Sequence, residues 1–203
     1  TGLIVYLTIE TFFASRKWLV SRAKRLRFHF SISIINSVIL RLTVISFLFE
    51  LIHLRSSMGF GISSFLSLRG APEIILSIIS YDFFDYWWHR FNHTNSFLWR
   101  FHRVHHMDTH VDVTTALRFH PGELMISCFF KAIWVILWSP SFYGFIAAEI
   151  SISFFSQFHH ANFSFSKKNE KLLRKIFMSP ELHTAHHSCM KKIRDHNYST
   201  IFI

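Results

Sequence analysis

The sequence contains 15 histidines in 203 residues, and most of them fall in four short clusters. Residues three and four apart in a helix lie on one face, so such a cluster can aim two imidazoles at one point. A histidine adjacent to one of that pair points about 100° away, toward a second point. Neutral imidazole is the commonest metal ligand in biology and suits iron, zinc and copper. The clusters are His89–His93, His102–His105–His106, His159–His160 and His183–His186–His187.

This spacing predicts a site for two metal ions. Histidine-rich tracts that bind metal loosely are continuous runs, whereas these histidines are separated pairs and triplets at helical spacing. The histidines that stand alone are interpreted as ordinary surface or core residues. They are His29, His53, His110 and His196.

Three apolar segments must position these clusters. Phe28–Leu51 is long enough to span a bilayer, which needs about 20 residues, and Ala71–Trp88 reads as a helix with one polar face. Leu124–Phe158 is interrupted by Ser139-Pro140, which predicts a helical hairpin that returns to the side on which it began. With half of the residues apolar and a mean hydropathy of +0.27, the chain combines apolar helices with a polar cap.

The clusters follow the apolar segments: His89 comes directly after Trp88, and the other clustered histidines lie in two polar stretches, Arg90–Glu123 and His159–Ile203. If all the apolar segments run to and from one side of a membrane, every cluster lies on that side. The basic segment Arg16–Arg27 is predicted to be a cytoplasmic loop by the positive-inside rule. We therefore expect an all-α integral membrane bundle, multi-pass, with a histidine-rich cytosolic helical cap that holds a dimetal site on the cytoplasmic face.

Charge and cysteine content narrow the function classes. The net charge is +10, yet the basic residues form no nucleic-acid-binding module, so a membrane protein with basic cytoplasmic segments explains charge and hydropathy together. A solvated basic face without a partner stays open for residues 167–175. Cys128 and Cys189 form no CxxC pair, which argues against a structural disulfide and a thiolate metal site.

Five sequence motifs, in order, resemble the fatty acid hydroxylase / sterol desaturase superfamily of membrane di-iron oxygenases. They are YDFFDYWWHRFNH (81–93), LWRFHRVHH (98–106), LRFHPGE (117–123), FHHANFSF (158–165) and SPELHTAHHS (179–188) with DHNYST (195–200) after it. The chain looks closest to the bacterial sterol-desaturase-like branch. The resemblance covers residues 72–203 and, more weakly, the N-terminal span.

The resemblance implies nine metal ligands, matched position by position. They are His89, His93, His102, His105, His106, His160, His183, His186 and His187. His120 and His159 are implied as possible ligands or as neighbours of ligands. Asp82, Asp85 and Asn162 can orient imidazoles, since ligand histidines commonly donate their other N–H to such groups; ordinary helix polarity or a helix cap is the alternative.

The resemblance also implies the chemistry. It predicts an oxidoreductase that hydroxylates or desaturates a C–H bond of a sterol, fatty acyl or related lipid, with two iron ions, O2 and no catalytic side chain beyond the ligands. Zinc remains open because it also accepts imidazole. Electrons are expected from a separate partner, such as cytochrome b5, ferredoxin or a similar reductase system, and no nucleic-acid partner is expected.

The domain prediction is a single fatty acid hydroxylase-type unit over residues 1–203. Residues 1–70 would form N-terminal membrane segments and the basic loop, and residues 71–203 the catalytic region. The family usually continues with a Trp-Asp…Phe-Gly segment that does not follow Asn197-Tyr198 here, and the first residues begin in mid-helix. We expect truncation at both ends.

Three other functions stay as alternatives. A membrane metal transporter would carry its ligands within the spans, whereas these lie after them. A membrane zinc hydrolase would want a Glu base in a motif such as HExxH, which does not occur. An inactive protein of the same fold would not need the intact clusters.

Overall fold

The computed structural model describes residues 2–203, apart from the side chains of Arg41, Thr43 and Ser56. Within this part of the chain the regular structure is helical, and the only β-pairing is an isolated bridge between Phe177 and Phe202. The all-helical prediction is confirmed. The helices are α1 (Gly2–Phe13), α2 (Arg22–Leu40), a π-helical turn (Arg41–Ile45), α3 (Ser46–Met58), α4 (Ile62–Phe65), α5 (Gly70–Thr94), α6 (Ser96–His106), a 3-10 helix (Val113–Leu117), α7 (Pro121–Trp138), α8 (Phe142–His160), α9 (Lys167–Leu173), α10 (Pro180–His186) and α11 (Lys191–Arg194).

Helix α5 is the central element and packs along α8 and α7. Tyr81 of α5 contacts Trp134 of α7 with ring centroids 4.5 Å apart, and Trp134 in turn stacks on Phe145 of α8. The helix continues past Trp88, where the predicted apolar segment ends, to Thr94. Asn95 ends it and caps α6, since its side-chain oxygen accepts hydrogen bonds from the N–H groups of Phe97 and Leu98.

The predicted hairpin is present as α7 and α8. Ser139 adopts a left-handed conformation with φ of 59° directly after α7. Glu73 of α5 accepts hydrogen bonds from the backbone N–H and the hydroxyl of Ser141, which caps α8. Gly144 permits this close approach, because a Cβ there would lie 2.6 Å from a carboxylate oxygen of Glu73.

The prediction of a basic loop over Arg16–Arg27 is wrong in its second half. Helix α2 already begins at Arg22, and the π-helical turn joins it to α3, so the helical run extends to Met58, beyond the predicted span Phe28–Leu51. Arg25 is the physical reason: its guanidinium is buried and pairs with Asp108 and Asp112. A positive charge that is paired with carboxylates does not need a solvated loop.

Among the described residues, one helix, Pro121–Trp138, has the length and apolar character needed to cross a membrane. It is α7, the first arm of the hairpin. The multi-pass arrangement predicted from the sequence stays a prediction.

Candidate metal centre

Nine histidines gather into two groups at one end of α5, α7 and α8. Within each group, one ring nitrogen of every member lies within 4.8 Å of those of all the other members. These two groups in space combine histidines from different sequence clusters, and from here on we call them the first cluster and the second cluster. The first cluster is His89, His93, His102, His106 and His186; the second cluster is His105, His160, His183 and His187.

Each HxxHH motif divides its histidines between the two clusters. The motif of α6 contributes its first and last histidines to the first cluster and its middle one, His105, to the second. The motif that ends α10 does the opposite, because its first and last histidines join the second cluster and His186 joins the first. Histidines four apart stay together and the intervening one turns away, as helical geometry requires.

The rings of the first cluster are held from outside by fixed acceptors. His102 Nδ1 lies 2.7 Å from a carboxylate oxygen of Glu123, and His93 Nδ1 lies 3.4 Å from that of Asp195. His89 and His186 each direct Nδ1 at a backbone carbonyl, those of Tyr198 and His196, at 2.7 and 2.6 Å. A ring that donates through Nδ1 presents the lone pair of Nε2 to the centre of the cluster.

The second cluster is organised around His160. Its Nε2 lies 3.0 Å from the Nε2 atoms of His105 and His183 and 3.2 Å from that of His187. His160 Nδ1 is 2.6 Å from the carbonyl of Ser156, and His105 Nδ1 is 3.3 Å from that of Arg118. The Nδ1 atoms of His183 and His187 are buried and have no hydrogen-bond partner.

Burial keeps five of these imidazoles neutral near pH 7. Burial, helped by neighbouring histidines, lowers the pKa of four of them well below the usual range. Burial likewise lowers the pKa of His186 to about 3. A neutral ring keeps the lone pair that a metal requires, since ligands bind metal in the deprotonated form. The four histidines are His105, His106, His183 and His187.

The donor set fits metal ions. The Nε2 atoms of His93 and His102 are buried and have no hydrogen-bond partner. Both ring nitrogens of His106 are also buried and have none. A buried polar atom without a partner destabilises the folded protein unless a ligand binds it. Two imidazoles at right angles about 2.1 Å from a metal would have their nitrogens about 3.0 Å apart, which is the separation of His89 and His186 Nε2 at 3.0 Å.

Two predicted candidates lie outside both clusters. His120 caps α7, because its Nδ1 accepts a hydrogen bond from the N–H of Gly122, and its ring packs on Phe101. His159 directs Nδ1 at the carbonyl of Thr200 and lies against His183, with ring centroids 3.8 Å apart. His159 therefore supports a member of the second cluster, whereas His120 has a structural role at the helix start.

The polar residues predicted to orient imidazoles bind other groups. Asp82 accepts hydrogen bonds from the N–H groups of Ile201 and Phe202, and Asp85 accepts one from the Thr200 hydroxyl. Asn162 exchanges hydrogen bonds with the backbone of Arg16. These residues hold the C-terminal segment and the α1–α2 connection against the cap, and these hydrogen bonds agree with the alternative of ordinary structural polarity.

Glu123 and Asp195 are the carboxylates that contact cluster histidines, and sequence reasoning did not single them out. Both lie inside motifs quoted for the family resemblance, LRFHPGE and DHNYST. Their sequence distance from the histidines is large: Glu123 is 21 residues from His102 and Asp195 is 102 from His93. Local spacing carries no signal for such pairs.

A cavity of about 280 Å³ lies against the clusters, between α5, α7 and α8. Its wall includes His89, His102, His105, His160 and His183. The apolar part of the wall comes from Phe84, Trp88, Leu124, Phe130 and Ile152, and a Lys131–Glu149 ion pair of 2.7 Å also lines it. Lys131 is eight residues from Glu123 along α7, about 12 Å at the helical rise. The cavity thus places an apolar wall beside the candidate metal centre.

The described part of the chain thus combines an all-helical fold with two buried histidine clusters, which could hold metal ions, beside an apolar cavity. The sequence profile described as "Fatty acid hydroxylase" matches residues 74–203. This chain belongs to the fatty acid hydroxylase family, as the superfamily resemblance predicted.

Three relatives carry the same printed name, alkylglycerol monooxygenase. The protein of Danio rerio is 31% identical over 129 residues, which are 63% of this chain and 28% of the relative. That of Homo sapiens is 27% identical over 128 residues, 63% of this chain and 27% of the relative, and that of Xenopus tropicalis is 29% identical over 132 residues, 63% and 28%. The matched part therefore spans between a quarter and a third of these relatives. No solved structure matches the chain.

Proposed function

We propose that the chain is the catalytic part of a membrane-bound di-iron oxygenase that hydroxylates a lipid. One observation carries the proposal: two buried histidine clusters, with buried ring nitrogens that have no hydrogen-bond partner, share a wall with an apolar cavity. Membership of the fatty acid hydroxylase family supports the reaction class. Each cluster would hold one iron ion, although zinc would bind the same donors.

The bound iron ions would supply O2 activation. In the overall reaction, a C–H bond, O2, two electrons and two protons give an alcohol and water. The residues of this chain hold the metals and exclude water from the cavity, and the apolar wall positions an alkyl chain beside His89 and His102. Desaturation would use the same O2, two electrons and two protons, but it would remove hydrogens from two adjacent carbons and give an alkene and two waters.

An ether lipid is the first substrate to test. The relatives are named for alkylglycerols, which are alkyl chains joined to a polar glycerol. The cavity suits this amphiphilic character, since apolar rings line it and Asn92 and Gln157 add polar atoms. A sterol or a fatty acyl chain are the other substrates to be compared.

The membrane arrangement is part of the proposal. Large apolar side chains on α5, α7 and α8 are exposed, among them Phe83 at 60%, Phe129 at 70% and Ile150 at 63%. Such surfaces are rare on soluble monomers and suit contact with lipid. We propose that these helices form a multi-pass bundle, that the clusters lie at its cytoplasmic end, and that an external electron carrier serves them. The assignment to a bacterial branch and the single domain stay predictions.

Metal analysis tests the proposal directly. Purified protein should contain two metal ions per chain, and the double variant His102→Ala/His186→Ala should lose at least one. His196→Ala is the matched control, because its exposed ring lies outside the clusters and its backbone carbonyl to His186 is kept. Equal metal content in the double variant and the wild-type protein would contradict the site.

Oxygen dependence tests the reaction class. Lipid turnover with a chemical reductant should stop under anaerobic conditions and should incorporate ¹⁸O from O2 into the product alcohol. Turnover that continues without O2, with ¹⁸O incorporated from water, would identify a hydrolase instead.

A further inference from the structure

Trp99 lies between the protein surface and the first cluster. This partly exposed residue of α6 has its ring centroid 5.2 Å from that of His93 and 5.5 Å from that of His106. The guanidinium of Arg194 lies over the Trp99 ring, 4.2 Å from its centroid. Arg194 also pairs at 3.1 Å with Asp195, the carboxylate that contacts His93. An aromatic ring thus connects the surface to two candidate ligands.

This contact lies away from the cavity. His93 and His106, the two rings nearest to Trp99, are not among the residues that line the cavity, whereas His89 and His102 of the first cluster form part of its wall. His102 is farther from Trp99, with ring centroids 6.2 Å apart. The cavity and Trp99 therefore contact largely different members of the first cluster. An apolar substrate can approach it through the cavity, while Trp99 reaches it from another side.

The surface around Trp99 is strongly basic. Residues 86–107 and 182–194, which supply Trp99 and its neighbours, contain six Lys and Arg, and the acidic residues that directly flank these two ranges are Asp85, Asp108, Glu181 and Asp195. Arg100, Arg103, Lys191 and Lys192 are exposed, whereas Glu181 is the one exposed residue among the four acidic ones. Asp195 is already engaged by Arg194 and His93. This excess of positive charge would attract a partner with a negative surface.

We propose that this surface docks an acidic one-electron carrier protein and that Trp99 provides the route by which its electrons enter. We call it the Trp99 surface, formed by Trp99, Arg103, Lys191, Lys192 and Arg194. The inference rests on the proposed oxygenase function. In each encounter the carrier is oxidised by one electron and the metal centre is reduced by one, so two encounters supply the two electrons that one O2-dependent hydroxylation consumes.

A protein electron carrier explains both the positive charge of the surface and the contact between Trp99 and the histidines. An anionic bilayer explains the charge alone. Lipid headgroups would be attracted by the lysines and arginines, but they would make no use of an aromatic contact to two cluster histidines. An electron carrier needs the charge for orientation and the short path for transfer. Arg194 serves both, because it carries the charge and lies on the Trp99 ring.

Binding is the first test, and it does not depend on activity. Full-length protein in nanodiscs of neutral lipid is titrated with an acidic ferredoxin and with an acidic cytochrome b5 domain at low and high salt. Lys191→Glu/Lys192→Glu should weaken binding of at least one carrier about 10-fold at low salt. Lys167→Glu/Lys168→Glu is the matched control, an exposed Lys-Lys pair that also opens a short helix, and it should change binding less than about 2-fold.

Electron transfer is the second test. In stopped-flow measurements, Trp99→Leu should slow oxidation of the reduced carrier by about 10-fold or more, and Trp99→Phe, which keeps an aromatic ring, should retain most of the rate. Variants are compared at equal metal content. Reduction by dithionite, which does not need the docking surface, separates a lost route from a damaged metal centre.

Several results would overturn the inference. Equal weakening by both lysine pairs would indicate general charge attraction, and no weakening by either would exclude docking here. Binding to anionic vesicles that falls only in Lys191→Glu/Lys192→Glu, with carrier affinity unchanged, would assign the surface to the membrane. Trp99→Leu with an unchanged transfer rate would exclude the route. A wild-type protein without metal or O2-dependent turnover would instead refute the proposed function.

Discussion

The two histidine clusters use the same ligand type but differ in what holds their rings. In the first cluster, four of five histidines direct Nδ1 at an acceptor, and two of these acceptors are the carboxylates of Glu123 and Asp195. In the second cluster, only His105 and His160 do so, and both acceptors are backbone carbonyls.

Two candidate sites made of the same ligand type can therefore differ in the hydrogen bonds that hold their rings. A carboxylate behind an imidazole fixes the ring and raises its basicity, so the first cluster is the more preorganised and the more electron-rich. The second cluster depends on contacts among its own rings, which meet at His160. We expect the first site to bind metal more tightly and the second to be more sensitive to the loss of one member.

The largest expected effect comes from His160→Ala. Because His160 Nε2 touches the other three members of the second cluster, its removal should empty that site and leave the first occupied. Metal content should fall from two ions to one, and lipid turnover by more than about 100-fold, beyond the loss expected from an outer partner. Elemental analysis and product assays measure both. Retention of two ions would mean that the second cluster does not depend on His160.

The next effect comes from Glu123→Gln. The amide keeps the shape but loses the charge that holds His102, so metal affinity of the first cluster should fall about 10- to 100-fold while that of the second is unchanged. Competition with a chelator measures the two affinities. Glu181→Gln, an exposed carboxylate at the start of α10, is the control. If both sites weaken equally, the proposed difference between the clusters is wrong.

A smaller effect is expected from pH on the metal-free protein. The pKa of His186 is about 3 in the folded state, and those of His183 and His187 are also far below the usual value, through burial. The unfolded chain therefore binds protons first as the pH falls below about 6.5. The free energy of unfolding should therefore be lower at pH 5.5 than at pH 7.5, by about 1.4 kcal/mol for each such histidine. Thermal unfolding at pH 7.5 and 5.5 measures it, and an unchanged melting temperature would show that the rings are not held neutral.

The smallest expected effect is that of Asp195→Asn. The carboxylate lies 3.4 Å from His93 Nδ1 and its side chain is 22% exposed, so water weakens the interaction. Metal affinity of the first cluster should fall less than about 5-fold, clearly less than with Glu123→Gln. The same chelator competition compares the two variants. A larger loss for Asp195→Asn would reverse the order of the two carboxylates.

Much of the candidate site could be predicted from local spacing. Helical periodicity places His102 and His106 on one face and turns His105 away, and the structure separates them in that way. Backbone preferences likewise located the break at Ser139, whereas α7 begins at Pro121, three residues before the predicted segment. These features depend on the 3.6-residue repeat and on backbone preferences, which are properties of short stretches of chain.

Other features could not be predicted, because they depend on residues far apart in the sequence. Glu123 and Asp195 meet their histidines only after α7 and the C-terminal segment have packed on α5 and α6. Asp82 and Asp85 appeared suited to hold imidazoles, yet folding brings the backbone of Ile201 and the hydroxyl of Thr200 to them instead. Helix α2 likewise begins at Arg22 with Arg25 paired to Asp108 and Asp112, which are more than 80 residues away in the sequence.

The number of candidate ligands, their helical pairing and the family follow from the sequence alone, because each depends on local spacing and on the order of motifs. The tertiary structure is needed to show which histidines share a cluster, which acceptors contact their rings, and which of them face the cavity or Trp99. Those choices depend on how helices pack, and packing joins side chains that no local pattern connects. The contrast between the two clusters is therefore a property of the fold.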